Sequence, residues 1–123
     1  MTRQKREISN AVKYYHPQLT AGQWFKLKFI EQMANIGSEV ERTIKWRDKN
    51  KEYSQRAFER ALELLDLTIS DPKNKSFPRL KELCRLREVL IDYFCFDNQY
   101  LSPDDFWRKY FYAFNYATNV GKL

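Results

Sequence analysis

Residues 77–94 read FPRLKELCRLREVLIDYF. Stepped at about 3.6 residues per turn, Leu80, Leu83, Arg87, Leu90 and Phe94 fall on one side, with Lys81, Arg85, Glu88 and Asp92 opposite. An apolar stripe facing a charged one marks a helix laid against other helices. Arg87 breaks the pattern, because it projects from the middle of the apolar arc. A lone buried charge is costly, so Arg87 must find a carboxylate partner, such as Glu39 or Asp66, or lie at a seam, and the expectation is a buried ion pair.

Working outward, the preceding stretch from Glu52 to Ile69 carries Phe58, Ala61, Leu62, Leu65 and Ile69 at helical spacing. Glu52, Arg56, Glu59, Arg60 and Glu63 make its wet side, and Leu67 also falls there. Ser70-Asp71-Pro72 stops that helix. Upstream again, Thr20 and Gln23 form a capping box opening a first long helix that ends near DKNK at residues 48–51. Its core side carries Phe29, Ile30, Met33, Ile36, Val40 and Ile44. Gly37 shares that side, and a glycine there suits a close helix crossing. The outer side carries Ser38, Arg42, Lys45 and Lys49.

Downstream, Ser102-Pro103-Asp104-Asp105 announces a fourth helix: a cap, a proline at the first position and acids at the positive end of the dipole. On it, Phe106, Tyr110, Ala113 and Ala117 suit a core-facing line. Trp107, Phe111 and Phe114 make a second line about a quarter turn away. So wide an apolar arc exceeds what one small bundle buries, which points to contact with another subunit through Trp107, Phe111 and Phe114, with Leu67. The helical spacing of these aromatics reads as core and interface before it reads as a stacking platform for bases. Four helices with short links predict an all-α fold, an antiparallel up-down four-helix bundle over residues 20–120. Residues 1–19 form a basic N-terminal extension, helical or disordered, that Pro17 interrupts.

Composition bounds the function. A chain of 123 residues fits one domain. The two cysteines, Cys84 and Cys95, make no CxxC unit and sit among apolar neighbours, so they read as buried reduced thiols in a reducing, cytoplasmic setting. No apolar run reaches the roughly 18 residues that span a membrane. The single histidine, His16, stands beside Pro17, outside the bundle, where no nucleophile system or metal site can be built around it from this sequence. No glycine-rich phosphate loop occurs. The reading is a protein with no catalytic residues, no metal and no cofactor.

What remains is cationic surface. The net charge is +6. Arg42, Lys45, Arg47, Lys49 and Lys51 gather at the end of the first helix, and Arg56 and Arg60 repeat one turn apart on the second. Lys73, Lys75, Arg79, Lys81 and Arg85 run from the second turn into the third helix. Phosphate contact needs only reachable cations, so these residues are candidates for binding RNA or DNA. An acidic protein partner would satisfy the same charge, and the sequence alone does not separate a nucleic-acid binder from a protein–protein adaptor.

The stretches QMANIGSEVERTIKW, RALELLDLTI, RLKELCRLREVLIDYF and FWRKYFYAFNYA cover roughly residues 32 to 117. In length, helix pattern and basic character they resemble the small bacterial four-helix-bundle proteins. That family includes the intervening-sequence proteins encoded within large-subunit ribosomal RNA genes and the accessory variability determinant (Avd) of diversity-generating retroelements. The resemblance implies a ring-shaped homo-oligomer, a pentamer, with a basic surface. It also implies a reverse transcriptase and nucleic acid as partners.

Overall fold

The computed structural model describes residues 21–96 and 98–120. The basic extension at 1–19, His16 and Thr20 of the expected capping box lie outside the described residues. Those described form five helices, four of them long: α1 (Ala21–Phe25), α2 (Phe29–Trp46), α3 (Lys51–Ser70), α4 (Phe77–Cys95) and α5 (Asp104–Val120). A short 3-10 turn, Pro72–Asn74, joins α3 to α4. There is no strand among the described residues. α2 lies against both α3 and α5, and α4 lies against α3. Tyr93 of α4 meets Trp107 of α5 with ring centroids 5.9 Å apart.

The expected first long helix is two helices. The chain leaves α1 through tight turns, Lys26 N–H to the Gln23 carbonyl at 3.2 Å and Leu27 N–H to the Trp24 carbonyl at 3.1 Å. It restarts where Glu31 Oε1 accepts the Lys28 N–H at 2.9 Å. The break serves Trp24, which is buried against α3 and whose indole N–H donates to Thr68 Oγ1 at 3.0 Å. Gln32, fully buried, locks this corner. Its amide donates to the Trp24 carbonyl at 3.1 Å and to Asp71 Oδ2 at 2.8 Å, and its Oε1 accepts from Asn74 at 3.1 Å.

Asn50 caps α3 by accepting the Tyr53 N–H at 3.0 Å, so the helix begins at Lys51. At the other end of the chain, Asp92 is buried rather than on the wet side of α4. Its two oxygens accept the Gln99 and Tyr100 N–H groups at 3.0 and 3.1 Å, which turns the chain toward α5. Asn98 and Leu101 adopt left-handed backbone there, φ 52° and 53°. Asparagine enters that region readily and leucine at a cost.

The core joins Met33, Ile36, Val40 and Ile44 of α2 to Phe58, Ala61, Leu62 and Leu65 of α3, with Leu83, Leu86 and Leu90 of α4 and Trp107 and Phe111 of α5. Phe29, Leu67, Ile69, Tyr110 and Phe114 pack around it, half-buried. Gly37 does permit the close crossing expected of it, since it sits directly beneath Phe111.

Five expectations need correction. Trp107 and Phe111 are buried inside this chain, so neither is a surface for another subunit. Phe106 and Ala113, expected in the core, are exposed instead. Cys84 and Cys95 are exposed, because the apolar arc of α4 passes through Leu83, Leu86 and Leu90 and leaves both thiols beside it. Glu63, expected in water, is 1% exposed. Arg87 does pair with Asp66, at 2.7 Å, but both side chains stay partly in solvent, so the ion pair is not buried.

Candidate nucleic-acid interface

Nine of the cations singled out in the sequence divide into two groups. In the first, each is held by the protein. Arg47 makes a bidentate contact to Asp104, at 2.8 and 3.1 Å, and donates to the Tyr93 hydroxyl at 3.1 Å, tying the end of α2 to the start of α5. Arg42 and Arg60 share Glu39, at 2.8 and 3.0 Å. Arg56 pairs with Glu52 one turn back, at 2.5 Å. Arg79 lies over the Phe29 ring, 4.0 Å from its centroid. Of these, Arg42 and Arg56 keep about half of the side chain in solvent, so a phosphate can still reach them.

The second group is Lys45, Lys49, Lys81 and Arg85. All four are exposed, and none has an ion pair among the described residues. Lys45 and Lys49 straddle Trp46, each about 5.9 Å from its ring. Arg85 lies 5.4 Å from the Tyr100 ring. Lys81 and Arg85 stand one turn apart on α4, and Lys45 and Lys49 stand one turn apart at the end of α2 and its following turn.

Two features that sequence reasoning passed over join this surface. Arg108 of α5 bridges to Glu41 of α2 at 3.0 Å, and exposed Lys109 stands beside it. With Arg42 and Lys45, Arg108 borders an open groove of about 540 Å³ between α2 and α5. The only sequence signal was a basic pair, Arg108-Lys109, inside an aromatic run that drew attention to the rings instead.

Glu63 acts on the charge balance from within. Neither of its oxygens has a hydrogen-bond partner among the described residues. Burial first, and then the nearby Glu59 charge, push its carboxyl up to about 8. At pH 7 it is mostly protonated, so one of sixteen carboxylates is silent and the net charge rises from +6 to about +7. Asp92 is occupied with backbone N–H donors and Asp71 with Gln32 and its ion pair to Lys73, so neither is left to neutralise Lys45, Lys49, Lys81 or Arg85.

Comparison with family models, curated proteins and solved structures gives no match. Among the described residues no group of three or more His, Cys, Asp or Glu side chains is placed to hold a metal ion. No described helix is long and apolar enough to cross a membrane.

Proposed function

We propose that this chain is a non-enzymatic, antiparallel up-down four-helix-bundle protein that binds RNA or DNA through its basic surface. The observation that carries this reading is the set Lys45, Lys49, Lys81 and Arg85, exposed cations without carboxylate partners among the described residues, in a protein that sequesters Glu63. Free cations of this kind release counterions from a polyanion, which gives affinity without sequence preference. The resemblance to Avd extends the proposal to a cytoplasmic homo-oligomer, a pentamer, serving a reverse transcriptase as an accessory subunit. Exposed Phe77, Phe96 and Leu101 are apolar surface available for such protein contacts, and Leu67 and Phe114 lie at the core's margin.

The test is binding to structured RNA across a salt series. The expected result is affinity that falls steeply with salt, by about 0.7–0.9 in log–log slope for each phosphate neutralised. Replacing Lys45, Lys49, Lys81 and Arg85 together by glutamine flattens that slope and leaves the fold intact. Absent binding at low salt, or binding indifferent to salt, overturns the reading.

A second reading, an adaptor for an acidic protein without nucleic acid, draws on Phe96 and Leu101, which lie exposed close in sequence to Tyr100 and its Arg85 contact. An apolar corner beside an unpaired cation suits a peptide mixing acidic and apolar side chains. Purified protein free of nucleic acid that retains such a partner supports it.

A further inference from the structure

α5 presents two faces of different kinds. Trp107 and Phe111 are buried, whereas Tyr112 and Tyr116 are 64% and 59% exposed. Those two tyrosines stand one turn apart, with ring centroids 6.3 Å apart and planes inclined by 31°. Neither hydroxyl has a hydrogen-bond partner among the described residues. Tyr112 also lines the α2–α5 groove that Arg42, Lys45 and Arg108 border. Beyond it the same helix pair encloses a smaller dip of about 200 Å³ that Asn35, Asn115 and Asn119 help to line.

We propose that this face is a site for single-stranded nucleic acid, with unpaired bases stacked on Tyr112 and Tyr116 and neighbouring phosphates on Arg42, Lys45 and Arg108. It deepens the nucleic-acid reading above and rests on it. An exposed ring offers its face to an unpaired base, and two rings one turn apart offer faces to successive bases of one strand. A duplex keeps its bases stacked on one another and offers these rings only its edges, so the site favours strands whose bases are free. The Asn35, Asn115 and Asn119 amides add donors and acceptors that a base edge can use.

Charge argues against a second copy of this chain as the occupant. Arg42, Lys45 and Arg108 outnumber the acids facing them: Glu41 is taken by Arg108, and Glu39 is shared by Arg42 and Arg60. A symmetric contact between copies would set these like charges against each other.

The test uses the full chain and three labelled probes: single-stranded oligo(U), single-stranded oligo(dT) and duplex RNA of equal length. The expected result is tighter binding to the single strands than to the duplex. Tyr112→Ala and Tyr116→Ala should each weaken single-strand binding about tenfold and leave duplex binding unchanged. Tyr112→Phe should bind as the parent does, because the ring and not the hydroxyl makes the stack. Tighter binding of oligo(U) than oligo(dT), or the reverse, assigns the strand as RNA or DNA, and equal binding supports a site indifferent to the sugar. Both tyrosines are exposed, so thermal melting should show the variants folded. If the protein binds all three probes and the tyrosine variants match the parent, this site is wrong while the broader reading stands. Duplex preference sinks it likewise, as does an oligomer that dissociates in Tyr112→Ala without change in binding. If no probe binds at low salt, both fail.

Discussion

Gly37 lies so close under Phe111 that a Cβ at residue 37 would sit 2.6 Å from the Phe111 Cβ and 2.8 Å from its Cγ. Real side chains do not approach that closely, and a Cβ cannot swing aside as the tip of a flexible side chain can. The glycine is therefore what lets α2 and α5 cross at this distance. By helix propensity alone, Gly37→Ala would gain about 1 kcal/mol. Forcing the two helices apart costs about 1–3 kcal/mol through lost contacts around Trp107 and Phe111, so the clash should win. We expect Gly37→Ala to lower the melting temperature by several degrees. A raised melting temperature would mean that the crossing is looser than described.

Glu63 predicts an unusual pH profile. Its folded-state value is about 8, against an ordinary 4.5. Between those values the unfolded chain has released the proton and the folded chain keeps it. The Glu63 contribution to stability is therefore full below about pH 4.5, falls as pH rises, and levels out above pH 8. The slope approaches about 1.4 kcal/mol per pH unit in that window, for a total of a few kcal/mol. Denaturant unfolding from pH 5 to 9 should show this decline in the parent. Glu63→Gln removes the titrating group and should flatten the profile, so the variant gains on the parent as pH rises. A flat parent profile would place water or a counter-charge beside that carboxyl.

α2, α3 and α4 are legible because each has an apolar stripe opposite a polar one, as Leu83 and Leu90 oppose Lys81 and Glu88 on α4, and α5 is legible from its Ser102-Pro103-Asp104-Asp105 start. The fourth helix was read on the wrong face for the converse reason. Aromatic residues ring α5 from Phe106 to Tyr116, and periodicity without contrast cannot choose between Phe106–Tyr110–Ala113 and Trp107–Phe111–Phe114. The break before α2 carries no proline or glycine at residues 26–28; it follows from where Trp24 must be buried. Glu63 reads as wet because Glu59 and Arg60 stand one turn before it on the same helix face, and only the packing of other helices around α3 buries it. The cations of the candidate surface were all visible. Which of them are spent on partners was not, because Arg47–Asp104 and Arg108–Glu41 join residues 57 and 67 positions apart.

That division makes Arg47 and Lys45 separable by experiment. Arg47 is engaged by Asp104 and Tyr93 and lies 5.6 Å from the Tyr93 ring centroid, whereas Lys45 has no ion pair among the described residues. Arg47→Ala should lower stability by about 0.5–1 kcal/mol, since the pair is partly exposed, and should leave nucleic-acid affinity nearly unchanged. Lys45→Ala should do the reverse: stability within about 0.5 kcal/mol of the parent and weaker binding with a shallower salt dependence. Thermal melts and a binding titration on both variants read this directly. Equal losses of affinity would return Arg47 to the binding surface.

Gln32 carries the remaining prediction, because its amide is the hub between α1, α2 and the 3-10 turn. Burial alone would raise the Asp71 carboxyl, but hydrogen bonds from Lys73 and Gln32 more than offset that and hold it below the ordinary 3.8. A carboxylate so held supplies stability above its unfolded value and loses it as pH falls through the folded one. Gln32→Met keeps similar volume but deletes the donor to Asp71, the donor to the Trp24 carbonyl and the acceptor for Asn74. Buried groups left without partners cost about 1–3 kcal/mol each when water cannot replace them, so a loss of about 2–4 kcal/mol is expected. The acid side of the stability profile should move with it: Asp71 loses a donor, its value rises, and the variant begins to unfold at a higher pH than the parent. Acid titration followed by tryptophan fluorescence suits the purpose, since Trp24 sits in the same corner. A variant that loses stability equally at every pH would show that Gln32 braces the backbone of α1 without acting on Asp71.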